Sequence, residues 1–252
     1  MGNTCFINAS LQALKPVWNL LNIGKVDRFS QILCNSLSEL SLADTTPLYT
    51  LSLLTEVRKS IKTFGRNTFE DAHEFIQATM NRVKCENLNF LIVTFMSCLR
   101  CQHYTMVDDE QFGINLVISE KLEDSLSKFL RKEELQWMCP GCHQNTTSEK
   151  SYSILSLPDI LLFQLKRFDN RQSKACKLMK FPLVGLSFEG QTFQLSSVVY
   201  HHGSINSGHY SAALLENDQW FLANDDKVDA IDAHTVVTPD SYLLIYSKTP
   251  LI

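Results

Sequence analysis

Cys5 lies in the run Gly2-Asn3-Thr4-Cys5-Phe6-Ile7-Asn8-Ala9-Ser10-Leu11-Gln12-Ala13-Leu14, at the mouth of a predicted amphipathic helix. Unpaired N–H groups and the positive end of the helix dipole favour an anion at such a place. The thiolate, not the thiol, is the nucleophile. Thr4 is the expected N-cap, and Phe6, Leu11 and Leu14 are expected to anchor one helix face. A thiol nucleophile needs an imidazole within reach, to take its proton and later protonate the leaving amine. His209 in His201-His202-Gly203-Ser204-Ile205-Asn206-Ser207-Gly208-His209-Tyr210-Ser211 is the candidate, delivered by a glycine-punctuated loop into an alternating strand. His202 reads as a turn histidine without a role. Downstream, Trp220-Phe221-Leu222-Ala223-Asn224-Asp225-Asp226 follows an Asn217-Asp218 turn. A hairpin there would bring Asn224 or Asp225 beside His209, to hold the ring's tautomer and orientation.

Two further groups carry chemistry. Cys98-Leu99-Arg100-Cys101 and Cys139-Pro140-Gly141-Cys142 form two C-x₂-C pairs, the spacing of a tetrahedral four-thiolate zinc site. Four thiolates close the shell, so this zinc is expected to be structural, and His103 and His143 are surplus. In Phe69-Glu70-Asp71-Ala72-His73-Glu74-Phe75, Asp71 and Glu74 are three apart and share a helix face. The pair could grip a basic substrate segment, or it is an acidic helix start favoured by the dipole.

The elements that must position these groups change character along the chain. Leu48, Leu51, Leu54, Val57 and Ile61 recur at helical spacing, and Thr68 is expected to cap a helix containing Ala72, Phe75, Ile76, Met80 and Val83. From about residue 90, short β runs take over: Phe90–Phe95, Ile160–Leu165, Phe193–Tyr200 and Ser241–Tyr246, with a short helix from Leu122 to Leu130. Helices first and strands later predict an α+β fold.

Composition narrows the class. The chain has 252 residues, 44% hydrophobic, enough for one large domain or a core with a subdomain. A net charge of −4 gives no nucleic-acid footprint and suits a basic partner. No apolar run reaches the ~18–20 residues of a membrane span, and no signal peptide is visible. The eight cysteines are therefore expected in a reducing compartment, cytoplasmic or nuclear, where paired spacings read as metal or catalytic sites.

Together these motifs resemble the ubiquitin-specific proteases, cysteine deubiquitinases of papain-like chemistry. Gly2–Leu14 is similar to the family's cysteine box. Phe69–Phe75 is similar to its acidic helix motif, with Glu70 where Gln is usual. The C-x₂-C pairs are similar to its zinc-bearing fingers, and His201 through Tyr210 to its histidine box. Leu157-Pro158, then Leu165-Lys166-Arg167-Phe168, is similar to the strand after the fingers. The resemblance implies a single catalytic domain over 1–252: a helical thumb over 1–88, fingers with one structural zinc over 89–156, and an antiparallel palm over 157–252. It implies Cys5 as nucleophile, His209 as base, Asn224 as the third member and Asp225 behind it. Ubiquitin would rest on the fingers and send its Gly-Gly tail into the cleft between thumb and palm. Asp71 and Glu74 would meet the tail's arginines, and His201, Gly208 and Tyr210 would line its path. The implied activity is hydrolysis of isopeptide or peptide bonds after the C-terminal glycine of ubiquitin, by a monomer with no organic cofactor. The alternatives are a weak or inactive ubiquitin-binding module, and a hydrolase of another ubiquitin-like modifier. The family's usual oxyanion Asn, five residues before the nucleophile, would fall before Met1, and so would its first palm strand. Loss of one such donor costs about 10²–10³ in rate.

Overall fold

The computed structural model describes residues 4–24, 27–40, 47–61, 70–168, 174–204 and 207–249. Gly2, Asn3, Thr68, Phe69, Ile205 and Asn206 of the motifs above lie outside them, as do the side chains of Leu48 and Leu51. The first part is helical: α1 (Cys5–Leu14), a 3₁₀ turn (Lys15–Leu20), α2 (Arg28–Glu39), α3 (Pro47–Ser60) and α4 (Ala72–Arg82). Their apolar faces meet in one core, in which Ile7, Leu14, Leu33, Val57, Phe75 and Ile76 are all fully buried. α2 opens with a reciprocal cap, Asp27 accepting from the Ser30 N–H while the Ser30 hydroxyl accepts from the Asp27 N–H.

Two sheets follow. β1 (Asn89–Cys98), β2 (Tyr104–Phe112), β4 (Glu133–Met138) and β5 (Asn145–Ser156) form an antiparallel sheet in the order β2-β1-β5-β4. The larger sheet holds β3 (Ile114–Val117), β6 (Ile160–Lys166), β7 (Leu186–Phe188), β8 (Gln191–Ser204), β9 (Ser207–Glu216), β10 (Gln219–Asn224), β11 (Lys227–Ile231) and β12 (Ser241–Lys248). Its order is β11-β10-β9-β8-β12-β6-β3, with β7 on β8. The α+β expectation is met, and the helix α5 (Leu122–Leu130) has the expected bounds. The strands within 157–252 pair antiparallel, as expected; β3, from earlier in the chain, joins this sheet by pairing with β6 in parallel. β3 and α5 lie between the strands of the small sheet in sequence. Their apolar residues Ile114, Leu116, Leu122 and Leu126 nevertheless bury in the second core with Phe163, Leu165 and Tyr246. Residues 114–130 therefore sit with the larger sheet, not with the small one.

The large sheet carries α1 on one face. β9 supplies Ala212 and Tyr210 to the helical core, while Ala213, on the opposite face, joins the second core. The Ser197 hydroxyl donates to the Ala13 carbonyl at 2.6 Å, and Lys15 pairs with Glu216 at 2.7 Å. These contacts fix α1 across strands far from it in sequence.

Candidate active site

Cys5 is half-buried at the start of α1. Thr4 is the N-cap by position, but its side chain makes no cap hydrogen bond. Its carbonyl accepts from Ile7 and Asn8 N–H at 3.0 and 3.1 Å. Phe6, Leu11 and Leu14 are buried as expected, and Phe6 meets Phe75 of α4 edge-on at 5.6 Å.

His209 stands near the start of β9, and Asn224 ends the neighbouring β10. Both turn residues Asn217 and Asp218 have positive φ, 49° and 62°, the conformation of a tight two-residue hairpin. This hairpin brings the two together: His209 Nε2 lies 2.6 Å from Asn224 Oδ1. An amide oxygen only accepts, so Nε2 carries the proton and the Nδ1 lone pair is left free to accept one. Asp225 does not touch the histidine. Its carboxylate accepts from Asn8 Nδ2 at 3.2 Å, tying the β10–β11 turn to the nucleophile helix. Among the described residues no hydrogen bond joins the Cys5 thiol to His209.

Asp71, not Thr68, caps α4. Its Oδ1 accepts from the N–H groups of His73 and Glu74 at 2.7 and 3.0 Å. Its Oδ2 accepts from the hydroxyls of Tyr242 and Tyr210 at 2.6 and 3.3 Å. A carboxylate expected to face a substrate is thus also the joint between helix layer and sheet. Glu74 is exposed, and burial, then the charges of Asp71 and Glu70, raise its carboxyl above the usual range.

A cleft of about 510 Å³ runs between α4 and the large sheet, lined by Cys5, Asp71, Glu74, His201, Gly208 and Tyr210 among others. This unites every expected substrate-lining residue with the candidate nucleophile. Gly208 must be glycine, because a Cβ there would collide with His201 Nε2. His201 is 5% exposed, packed against the Tyr210 ring at 4.7 Å. Burial, then the Lys174 charge, holds its imidazole below the usual histidine range. The cleft also contains His73, Gln164, Phe168 and Tyr242, which the residue types alone did not single out. Phe168 and His73 stood inside quoted motifs; Tyr242 and Gln164 carried no local signal. His202 is not a turn residue: it lies in β8, opposite His209 in register, and is hydrogen-bonded on both ring nitrogens.

The four cysteines converge at the end of the small sheet. Their sulfurs all lie within 4.8 Å of one another, and Cys101 Sγ is 3.6 Å from Cys139 Sγ. Tetrahedral zinc with Zn–S of about 2.3 Å needs sulfurs about 3.8 Å apart, so the cluster fits that ion. The two knuckles are built alike. Cys98 N–H donates to the His103 carbonyl and Gln102 N–H to the Cys98 carbonyl. Cys139 N–H donates to the Gln144 carbonyl and His143 N–H to the Cys139 carbonyl. Gln102 and His143 both have positive φ. Gly141 lies against the other knuckle, where a Cβ would come within 2.6 Å of His103. The Thr146 hydroxyl, foremost among several hydrogen bonds, pulls the Cys98 thiol down to about 6.

The profile of the family described as ubiquitin carboxyl-terminal hydrolase matches residues 1–246. The chain belongs to this family. It is 24% identical to human ubiquitin carboxyl-terminal hydrolase 42 over 99% of its own length, and spans 22% of that relative. It is 24% identical to probable ubiquitin carboxyl-terminal hydrolase 8 of Schizosaccharomyces pombe, over all of itself and 64% of the relative. This hydrolase-family chain thus covers only part of those curated relatives. Among solved structures it is similar to a chain of the SAGA DUB module of Ubp8, Sgf11, Sus1 and Sgf73 bound to monoubiquitin. The TM-score is 0.82 at 25% identity, covering 100% of this chain and 68% of that one. The same module bound to ubiquitin aldehyde matches with a TM-score of 0.81.

Proposed function

We propose that the chain is a deubiquitinating thiol hydrolase that cleaves after the C-terminal glycine of ubiquitin. The observation that carries this reading is the His209–Asn224 hydrogen bond at 2.6 Å, on the sheet that packs against the helix of Cys5. Asn224 holds the proton on Nε2, so Nδ1 accepts the Cys5 proton. The sulfur attacks the glycine carbonyl carbon, and the N-terminus of α1 stabilises the thiolate and the developing oxyanion. His209 then protonates the departing amine, releasing it and leaving a thioester. A water molecule, deprotonated by the same imidazole, attacks the thioester, and Cys5 leaves with its proton restored. Asp71 and Glu74 attract the basic residues upstream of the Gly-Gly end, and Gly208 keeps the channel narrow.

In this reading residues 1–88 serve as thumb, 89–156 as fingers except for 114–130, which pack with the large sheet, and 157–252 as palm. Cys98, Cys101, Cys139 and Cys142 hold one zinc, which supplies a structural crosslink and no catalytic chemistry. A monomer in cytoplasm or nucleus, with no nucleic-acid or membrane partner, agrees with the net charge of −4. The eight cysteines are free of disulfides, and among the described residues no helix is long and apolar enough to cross a membrane.

The test is reaction with ubiquitin bearing a C-terminal electrophile. A covalent adduct that disappears in Cys5→Ala and His209→Ala is expected; no adduct under reducing conditions sinks the proposal. A second reading, a ubiquitin-binding module without turnover, is favoured by the lack of a Cys5–His209 hydrogen bond. It predicts retained ubiquitin binding with neither adduct nor chain cleavage.

A further inference from the structure

On the face of β8 and β9 that carries His209, four side chains from four separate segments form one chain of contacts. Lys174 Nζ donates to the Asp240 Oδ1 and to the His201 carbonyl, both at 2.5 Å. Asp240 Oδ2 lies 3.0 Å from His202 Nδ1. A carboxylate accepts, so that nitrogen carries a proton, and Nε2 is left to accept from the Ser211 hydroxyl at 3.3 Å. The Asp240 carbonyl also accepts from His201 N–H at 2.9 Å. The Lys174 side chain is 11% exposed despite its charge. Such a lysine is normally solvated, and its burial here is matched by a carboxylate and a carbonyl acceptor.

The placement of this chain gives it a role. His202 is the direct cross-strand partner of His209 in the β8–β9 ladder, and Ser211 lies two residues on, on the same face as His209. Gly203 and Gly208, the next pair in the ladder, have no side chains with which to brace the strand end. Beyond that pair the Ser204 hydroxyl donates to the Ser207 carbonyl at 3.3 Å, and on the other side of His209 the bracing comes from His202 and Ser211. Asn224 orients the ring, and the backbone ladders of β8 and β10 hold the strand that carries it. The Lys174–Asp240–His202–Ser211 chain adds side-chain bracing to that ladder beside His209. It joins β8 to β9 through His202 and Ser211, and both to the start of β12 through Asp240.

We propose that His202, Asp240 and Lys174 are positioning residues for His209, holding its strand so that the imidazole meets Asn224 on one side and the substrate thioester on the other. This rests on the deubiquitinase reading for its kinetic consequence, but not for its structural one. None of the three touches the reacting atoms.

The test compares the full chain with His202→Ala, His202→Gln and Lys174→Met. Turnover is read with ubiquitin carrying a C-terminal fluorogenic amide, and ubiquitin affinity with the same variants in a Cys5→Ala background. The His209 Nε2–H resonance, held downfield by the Asn224 bond, is read by ¹⁵N-histidine NMR. We expect His202→Ala and Lys174→Met to lower kcat about tenfold, as loss of alignment does. Ubiquitin affinity should not change and the Nε2–H resonance should broaden or vanish; the melting temperature should hold in His202→Ala and fall in Lys174→Met, which leaves the Asp240 carboxylate without its ion-pair partner. Gln can reach both Asp240 and Ser211, so His202→Gln should restore most of the activity and the resonance. An unchanged resonance in His202→Ala overturns the proposal, as does a loss of kcat in that variant that merely tracks a fall in melting temperature. The resonance needs no turnover, so a wild-type chain inactive on ubiquitin would sink the deubiquitinase reading while leaving this one decided by NMR.

Discussion

Tyr242 on β12 donates its hydroxyl to Asp71 Oδ2 at 2.6 Å, while the other oxygen of the same carboxylate caps α4. One side chain therefore ends a helix and fastens it to the sheet across the cleft. Asp71→Ala loses an N-cap, worth about 1 kcal/mol, and strands buried tyrosine hydroxyls at about 1–3 kcal/mol. Urea unfolding should show a loss of about 2–4 kcal/mol, against about 1 kcal/mol for Tyr242→Phe. A loss no larger in Asp71→Ala than in Tyr242→Phe would show that the cap, not the cross-cleft joint, is unimportant.

Asn224 and Asp225 are adjacent in sequence but separate in contact, one on His209 and the other on Asn8. Asn224→Ala should lower kcat by roughly 10²-fold, the lower end of what positioned acid–base catalysis contributes, with little change in KM. Asp225→Ala should cost far less, and its effect should be matched by Asn8→Ala. Steady-state kinetics on a fluorogenic ubiquitin amide separates the two; equal losses would mean that Asp225 reaches the imidazole during turnover.

His73 and His201 are both buried, and burial is the first cause that lowers each imidazole below its ordinary value of 6.5. The native state therefore binds these protons more weakly than the unfolded chain does. Their contribution to stability is complete above pH 6.5 and declines as pH falls from there toward the native values. Chemical unfolding between pH 8 and 5 should show this decline. His73→Gln should flatten the slope, since it removes one of the two titrating groups. A slope identical to wild type would mean that His73 is protonated while folded.

Metal analysis should find about one zinc per chain, and Cys139→Ser or a strong chelator should release it. The expected result is earlier proteolysis within residues 89–156 and weaker ubiquitin binding, while Cys5 still reacts with iodoacetamide. A metal-free chain equally resistant to protease would refute the structural role of the ion.

Much of this architecture was open to reading because it is written in local patterns. The Leu122–Leu130 helix, the β runs and the Asn217-Asp218 turn all follow from short-range periodicity and from residues that tolerate positive φ. The knuckles were legible for the same reason, since each C-x₂-C pair closes its own turn. What escaped is non-local. Nothing near Ile114 announces a parallel partner in β6. Arg167 stood in a quoted motif, yet its type predicts exposure. It is 2% exposed and donates to the carbonyls of Ser241, Ala175 and Lys177. Thr68 and Asp71 are both good capping types three residues apart, and Asp71 is the one whose carboxylate accepts from the His73 and Glu74 N–H groups. His202 looked idle because its partners, Asp240 and Ser211, come from different strands or their approaches.

Cys5 rides on a helix layer and His209 on a sheet layer. Among the described residues the bonds that cross between the layers include Asn8 to Asp225, Ser197 to Ala13, Lys15 to Glu216, and the tyrosines to Asp71. Reactivity is therefore a gauge of the spacing between two slabs rather than a property of either motif. A misplacement of about 1 Å at such a seam is worth about 10² in rate.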